Sequence, residues 1–168
     1  AFNYGTPPVM SGPGTIQLTG GTLMLANDSI PNLLLAGGTI TLGPNFQGGT
    51  ITNLTLTGGT LPGNNVVSGT FNSAATLSGS LTVLSGATVN WSGGSIQGPV
   101  NVAAGAGLNI EGAASKSLWG ALTNAGTVTW TGGTLRVDYS SANNQFGLIE
   151  NLPGAFWDMQ NSQSMLNS

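Results

Sequence analysis

Two stretches of the sequence share one pattern: residues 88–96 read TVNWSGGSI, and residues 127–135 read TVTWTGGTL. In both, polar and apolar residues alternate ahead of a glycine pair, and this period of two is typical of a half-buried β-strand. Glycine adopts positive φ angles at little steric cost, so the chain can turn sharply at the pair. Each stretch therefore predicts a short strand, a glycine corner and a second short strand.

A glycine pair followed by Thr or Ser and then by Ile or Leu recurs along the chain. Its six copies are residues 20–23, 37–40, 48–51, 58–61, 93–96 and 132–135. Their spacing scatters around multiples of about ten residues, which fits two or three strands in a rung of roughly 20 residues.

This spacing predicts an all-β fold, a right-handed parallel β-helix (solenoid) of about seven or eight irregular rungs, stacked about 4.8 Å apart. The irregular interval favours the right-handed form, because a left-handed β-helix normally has a hexapeptide period. An up-and-down barrel or a β-sandwich is the structural alternative. The sequence contains no Asn-Gly or Asp-Gly hairpin signal to support that alternative.

Composition excludes several classes of function. The 168 residues include two basic and five acidic residues, no histidine and no cysteine, and only 4% are charged. Metal sites of the Cys/His kind, cysteine nucleophiles and Ser-His-Asp triads are therefore excluded, as is a basic surface for nucleic acid. The longest apolar runs are about four residues, whereas a membrane-spanning helix needs roughly 20. We expect no cofactor, no nucleic-acid partner and no membrane insertion by this segment.

The whole chain, 1–168, is predicted to be one solenoid domain. Residues 29–110 contain no charge, but the repeat continues across the boundary into the charged last third. There, residues 140–144 indicate a polar loop. Solenoids expose open strand edges at their ends, so we expect a segment of a longer repeat protein or a self-assembling subunit. Residues 160–168 are expected to be a frayed tail or the start of a further rung.

Aligned repeats predict which residues form the core. Leu18 and Leu56 align with Trp91 and Trp130, and the stretch 151–157 echoes 124–130 with Trp157 at the aromatic position. An internal aromatic and aliphatic stack is favoured over outward platforms for sugars. The predicted core residues are Leu18, Ile40, Leu56, Trp91, Trp130 and Trp157.

Thr-x-Thr strands are the candidate binding feature. If several lay on one face, their hydroxyl and methyl groups would form a flat, uncharged array of the kind that binds ice or another surface. Threonine is also simply a good strand residue. The candidate residues are Thr39, Thr41, Thr50, Thr52, Thr55 and Thr57.

The late charges offer little catalytic chemistry. Glycoside hydrolysis generally needs two carboxylates flanking one bond, and Asp138, Glu150 and Asp158 share no motif. We interpret them as solubilising loop charges. Lys116 lies between two serines, but no other motif supports a Ser-Lys dyad. The sequence predicts no catalytic residue, no metal site and no enzyme, with a polysaccharide-active β-helix enzyme as a remaining alternative.

The Gly-Gly-Thr-Ile units and the paired Thr-Val-x-Trp blocks resemble very large bacterial surface proteins built on β-helices, namely autotransporter passenger regions and filamentous adhesins. The resemblance covers roughly residues 14–160 and brings no universal functional residue with it. It implies an extracellular or cell-surface location on a bacterium and a structural or adhesive role. The expected partners are copies of the chain itself or surface glycans, and ice binding is the alternative function.

Overall fold

The computed structural model describes residues 13–25, 33–160 and 162–167. These residues form short strands that pair almost entirely in parallel, together with one 3-10 turn at Phe46–Gly49. None of the helical segments formed by the described residues is long and apolar enough to span a bilayer.

The strands stack in three rows along the axis. Row A consists of β1 (Ile16–Leu18), β3 (Leu33–Leu35), β5 (Ile51–Leu56), β7 (Asn65–Ser73), β10 (Thr88–Trp91), β13 (Gly107–Ile110), β16 (Thr127–Trp130) and β21 (Phe156–Met159). Row B consists of Ile51 at the start of β5, the first part of β7, and the whole of β9 (Leu81–Val83), β12 (Val100–Val102), β15 (Ala121–Asn124) and β20 (Leu148–Asn151). Row C consists of β2 (Thr22–Leu25), β4 (Thr39–Leu42), β6 (Thr60–Leu61), β8 (Thr76–Leu77), β11 (Gly94–Ile96), β14 (Lys116–Leu118), β17 (Leu135–Val137) and β22 (Met165–Asn167).

One full rung passes through rows B, A and C in turn, as β9, β10 and β11 do. Rows A and B belong to one 12-stranded sheet that bends at β7, because the first part of β7 pairs with β9 and the second part with β10. Row C is a separate eight-stranded sheet with one strand per level. The predicted all-β parallel solenoid is confirmed, with eight strands in row C and about six turns where seven or eight rungs were expected.

Glycine pairs form the corner between rows A and C, as predicted. At five of the six motifs, the second glycine has a φ angle between 71° and 83°: Gly21, Gly38, Gly59, Gly94 and Gly133. At Gly37, the first glycine of its pair, an added Cβ would overlap the carbonyl oxygen of Thr19 in the corner below. The pair therefore provides both the turn and the close approach of stacked corners.

The motif at Gly48 and Gly49 was wrongly predicted to be equivalent to the others. Both glycines have positive φ angles, but they lie in the 3-10 turn ahead of β5 rather than between rows A and C. The Gln47 side chain holds this turn against the strand, since its Oε1 accepts hydrogen bonds from the backbone N–H groups of Thr52 (2.7 Å) and Asn53 (3.0 Å).

The core is built from columns of inward side chains. One column of row A places most of the predicted stack in register: Leu18, Leu35, Leu56, Ser73, Trp91, Ile110, Trp130 and Met159. Leu56, Trp91 and Trp130 are buried there, as is Ile40 in row C, while Leu18 is half-buried.

The predicted position of Trp157 in this stack is wrong. Trp157 pairs with Val128, and Met159 takes the place opposite Trp130. The turn between β20 and β21 has four residues, whereas the turn between β15 and β16 has two, so the apparent repeat is displaced by two positions. Trp157 is half-buried and packs against the edge of the core.

The predicted polar loop, 140–144, forms the exposed turn of an antiparallel hairpin, which the sequence did not predict. Strands β18 (Tyr139–Ser140) and β19 (Gln145–Phe146) pair between β17 and β20. Their aromatic rings meet edge to face, with centroids 5.2 Å apart. After the hairpin the chain completes one more rung, whose last strand β22 pairs in parallel with β17.

Candidate functional site

The six candidate threonines do not lie on one row. Thr39 and Thr41 belong to β4 in row C, whereas Thr52 and Thr55 belong to β5 in row A. Thr50 and Thr57 flank β5 on either side. The candidates therefore form two separate surfaces rather than a single Thr-x-Thr array.

Four of these threonines use their hydroxyl groups within the protein. Thr50 Oγ1 lies 2.7 Å from Ser68 Oγ, Thr52 Oγ1 donates to Gln47 Oε1 (3.1 Å), and Thr57 Oγ1 donates to the Leu35 carbonyl (3.2 Å). Thr55 Oγ1 accepts from Asn72 Nδ2 at 3.1 Å. These contacts link neighbouring levels of the solenoid or fix a turn, and so they have a structural role.

Row A carries an asparagine ladder on its outer surface, consisting of Thr55, Asn72, Asn90 and Asn109. Register places these residues on four successive levels. Asn90 Nδ2 donates to Asn72 Oδ1 (2.7 Å), and Asn109 Nδ2 donates to Asn90 Oδ1 (2.8 Å). This ladder was not predicted from the sequence, although an asparagine two residues after Thr70, Thr88 and Gly107 was a signal for it.

Next to the ladder runs a second outer column with no charge, which contains Asn53, Thr70, Thr88, Gly107 and Thr127. The two columns together give row A a flat surface of amide, hydroxyl and methyl groups over five levels. Among the described residues of these two columns, the charged one is Asp158, which follows Thr129 in the ladder column at the last level. This surface can form hydrogen bonds without ionic attraction or repulsion.

Row C carries an outer hydroxyl column on six successive levels: Thr22, Thr39, Thr60, Thr76, Ser95 and Ser117. Ser95 Oγ donates to Thr76 Oγ1 at 3.3 Å. At the first two levels, this column has no second hydroxyl column beside it. Thr41 lies next to Thr39 on the outer surface, but the residue that pairs with Thr41 on the preceding level is Met24. Thr39 is the candidate threonine that this column includes.

The three late carboxylates lie on three different rows. Asp138 follows β17 of row C, Glu150 is on β20 of row B, and Asp158 is on β21 of row A. Glu150 is exposed, and Asp158 accepts a hydrogen bond from Gln160 Nε2. This arrangement offers no pair flanking one bond. Within the described residues, no group of three or more acidic side chains could hold a metal ion.

Asp138 corrects the interpretation of these charges as solubilising loop charges. Its side chain is fully buried, and its Oδ1 lies 3.3 Å from Nε of Arg136, whose side chain is 45% exposed. The ion pair therefore joins a buried carboxylate to the surface beside the hairpin. Its role is to fix the chain where β17 ends and the hairpin begins.

Lys116 is a fully buried residue at the start of β14. Its Nζ donates to the carbonyl oxygens of Ala114 (2.8 Å), Gly132 (3.2 Å) and Gly112 (3.3 Å). Burial lowers the pKa of Lys116, and the nearby charge of Glu111 partly offsets that shift. Ser117 points to the opposite side of the strand, in the outer column, so the contacts of Lys116 are those of a structural cap over two stacked corners.

An open groove of about 340 Å³ lies beside the turn at Phe46–Gly49. Its polar lining includes Thr41, Thr50, Asn64 and Asn65, and no ionisable side chain lines it. A groove of this kind can hold a small neutral molecule, but it provides no acid, base or nucleophile.

The last rung differs from the others in its exposed apolar residues. Among the described residues, seven of the nine exposed large hydrophobic side chains follow residue 138: Tyr139, Phe146, Leu148, Phe156, Met159, Met165 and Leu166. The inward columns of this rung have no further rung beside them in the described structure. Ile149 and Trp157 are consequently only half-buried.

Comparison with known proteins gives no relative for this chain: no family model, no curated protein and no solved structure matches it.

Proposed function

We propose that this chain is a structural scaffold or adhesin, placed at the surface of a bacterium or outside the cell, that associates with its own copies or with surface glycans. The observation that carries this proposal is the asparagine ladder and the uncharged outer surface of row A around it. The described residues before Glu111 contain no charged side chain.

The ladder supports a scaffold role because it adds side-chain hydrogen bonds along the axis to the parallel backbone pairing. Amide groups at 2.7 and 2.8 Å tie each level to the next, which resists bending and shear of the stack. Stacked asparagines of this kind also contribute to the stability of cross-β assemblies.

The lack of charge supports association. Two surfaces that both lack charge have little electrostatic repulsion to overcome when they approach. Free lone pairs and N–H groups on the Asn and Thr side chains can also bind the hydroxyl groups of a glycan. Contact between two such faces joins solenoids side by side.

Electron microscopy of the purified protein tests this role. We expect rods or filaments longer than two stacked solenoids, a length of about 80 Å for sixteen levels. Particles that stay at or below that length at every protein concentration, with no adsorption to insoluble glycans, contradict the proposal. Replacing Asn72 and Asn90 by lysine should reduce assembly, and the same change at Asn101 on row B is the matched control.

The hydroxyl column of row C supports ice binding as a second candidate. Its members repeat at the spacing of a β-ladder, about 4.8 Å, and carry no charge. Thermal hysteresis in a freezing-point measurement would support this function, and Thr39→Lys should then abolish it. Freezing and melting points that coincide in the wild-type protein remove this candidate.

A further inference from the structure

We infer that the open groove beside the turn at Phe46–Gly49 is a binding site for one neutral sugar unit of a glycan. This inference rests on the proposed function, of whose two partners it specifies the glycan. The groove has a volume of about 340 Å³, at the small end of the roughly 300–1,000 Å³ of small-molecule sites. All its lining residues belong to the continuously described stretch 33–160, so it lies within the stack rather than at the last rung.

The groove exists because row B has no full strand at the level of β5. There, the chain between β4 and β5 forms the 3-10 turn, and row B is reduced to Ile51, which pairs with Val67. Asn65 and Val66 pair with β9 on the following level, but no described strand pairs with them on the preceding level. Both residues line the groove, which therefore has a short open strand edge along one side.

Asn65 provides an unused hydrogen-bond acceptor in the groove. The residue is only 7% exposed, and its Nδ2 donates to the carbonyl oxygens of Pro62 (3.2 Å) and Gly63 (3.1 Å). No described residue donates to its Oδ1, and this oxygen is not enclosed by protein atoms. A polar group that is fixed in this way and left open to a groove can orient a ligand through a hydrogen bond.

The turn that forms the other side of the groove is held in one conformation. Gln47, Gly48 and Gly49 have φ angles of 49°, 78° and 93°, and a left-handed φ angle is uncommon for a residue other than glycine. In addition to its contacts through Oε1, Gln47 donates from Nε2 to the carbonyl oxygen of Asn53 at 2.6 Å. Strained backbone that is fixed by its surroundings clusters at ligand sites, and a preformed site loses little entropy on binding.

The chemistry of the lining favours a neutral sugar. No ionisable side chain lines the groove, so a charged ligand would lose its hydration there without gaining an ion pair. Thr41 and Asn64 provide hydroxyl and amide groups besides Asn65, while Pro62 and Val66 provide apolar surface. A pyranose ring has hydroxyl groups around its edge and C–H groups on its faces, so it can contact both kinds of surface.

An extended peptide fits the groove less well. Pairing with β5 resumes at Val67, so the open edge is two residues long, whereas strands in globular proteins usually have at least about three residues. Pro44 and Pro62 also line the groove, and proline has no backbone N–H to donate to an added strand.

Amide-detected NMR of the full chain tests the site. The probes are the methyl glycosides of glucose, galactose, mannose and N-acetylglucosamine, each added separately. We expect at least one of them to shift the side-chain amide of Asn65 and the backbone amides of Thr50 and Val66 until the shifts saturate. The inference is overturned if none does so, if methyl glucuronide binds more tightly than every neutral glycoside, or if capped tetraalanine alone shifts these amides.

Asn65→Leu removes the acceptor and should raise the Kd of the bound glycoside about tenfold, the effect of one lost hydrogen bond. Asn124→Leu is the matched control, since Asn124 is another buried asparagine whose amide makes hydrogen bonds but which does not line the groove. Thermal unfolding of both variants reports their stability, and the control should bind as the wild type does. Equal changes in Kd would contradict the site.

A second pair of variants leaves the contacts of Asn65 in place and decides the question if Asn65→Leu fails to fold. Val66 and Thr82 are half-buried neighbours in the outer column of row B, and of the two only Val66 lines the groove. Val66→Met places a longer side chain in the groove and should raise Kd several-fold, whereas Thr82→Met should leave it unchanged. An unchanged Kd in both variants overturns the inference.

The two proposals can fail independently. Adsorption to insoluble glycans that persists when no free glycoside binds would support the adhesin role and contradict the groove as its site. A glycoside that binds wild-type protein but not Asn65→Leu, in a chain that neither assembles nor adsorbs to insoluble glycans, would support the groove and contradict the scaffold.

Discussion

The rung from β9 to β11 and the rung from β20 to β22 follow the same path, but they bury their inward residues very differently. In the first, Val89 and Trp91 are 0% exposed; in the second, Trp157 is half-buried and Met159 is 63% exposed. These residues occupy the same two columns. Burial in this fold is therefore supplied by the neighbouring rungs rather than by a rung's own residues, as expected of a solenoid.

The largest expected effect contrasts two tryptophans on these rungs. Trp91→Ala should lower the free energy of unfolding by about 3–5 kcal/mol, because it leaves a cavity in the closed core. Trp157→Ala should cost about 1–2 kcal/mol, since its side chain is already partly exposed and less apolar area returns to water. Urea unfolding measures both values, and equal losses would contradict the comparison.

Two corner glycines should show the next largest difference in the free energy of unfolding that is lost on substitution. A Cβ added at Gly79 would overlap the carbonyl oxygen of Gly63 in the corner below, whereas Gly154, in the last rung, has open space around it and a φ angle of 86°. We expect Gly79→Ala to cost about 3 kcal/mol through backbone displacement and Gly154→Ala about 1 kcal/mol through strain alone. Thermal unfolding ranks the two, and the reverse order would show that the corners are not stacked.

Lys116 and Met165 belong to one inward column, and only Lys116 is closed in by rungs on both sides. Lys116→Met should cost about 1–3 kcal/mol at neutral pH, because three carbonyl oxygens lose their donor. Met165→Ala should change stability less, since Met165 is 45% exposed.

The stability of the wild-type protein should also depend on pH through Lys116. Burial lowers the pKa of this group below the ordinary lysine value of 10.5, so the unfolded chain binds more protons than the folded chain between those two values. The free energy of unfolding should therefore rise as pH increases towards 10.5. Urea titrations from pH 7 to 10.5 should show this rise in the wild type but not in Lys116→Met, and parallel profiles would be evidence against it.

The smallest expected effect concerns the outer columns. Asn90→Ala removes a donor to Asn72 and an acceptor for Asn109 in a central level, and should cost about 1 kcal/mol. Asp158→Ala, at the end of the same column, should change stability by less than about 0.5 kcal/mol because its contacts are exposed. Chemical unfolding of both variants measures the difference, and a neutral Asn90→Ala would mean that the ladder adds no stability.

Local periodicity was sufficient to predict the repeating part of the fold. In Thr88–Trp91 and Thr127–Trp130, the alternation of polar and apolar residues predicted a strand and its inward face. The glycine pair after each strand predicted the corner. The predicted register is wrong where turn length changes, because register depends on the number of residues between strands. Two extra residues before β21 moved Trp157 into the column of Val128.

Contacts between levels could not be predicted, because they join residues about 20 positions apart through side chains. The asparagine ladder is an example, since Asn72, Asn90 and Asn109 become neighbours only when their strands stack. Lys116 and Asp138 are a second example. Their charge alone predicts a surface position. Burial becomes possible only in the folded chain, where carbonyl oxygens surround the Lys116 ammonium group and the Arg136 side chain pairs with Asp138.

Inside the stack, each strand of rows A, B and C lies parallel between the strands one rung before it and one rung after it. Backbone NOEs of β10, measured on the protein in solution, test this arrangement most directly. We predict that Asn90 contacts both Asn72 and Asn109, which are 18 and 19 residues away, in the pattern of parallel pairing. Antiparallel contacts between β10 and a strand adjacent to it in the sequence would contradict the account.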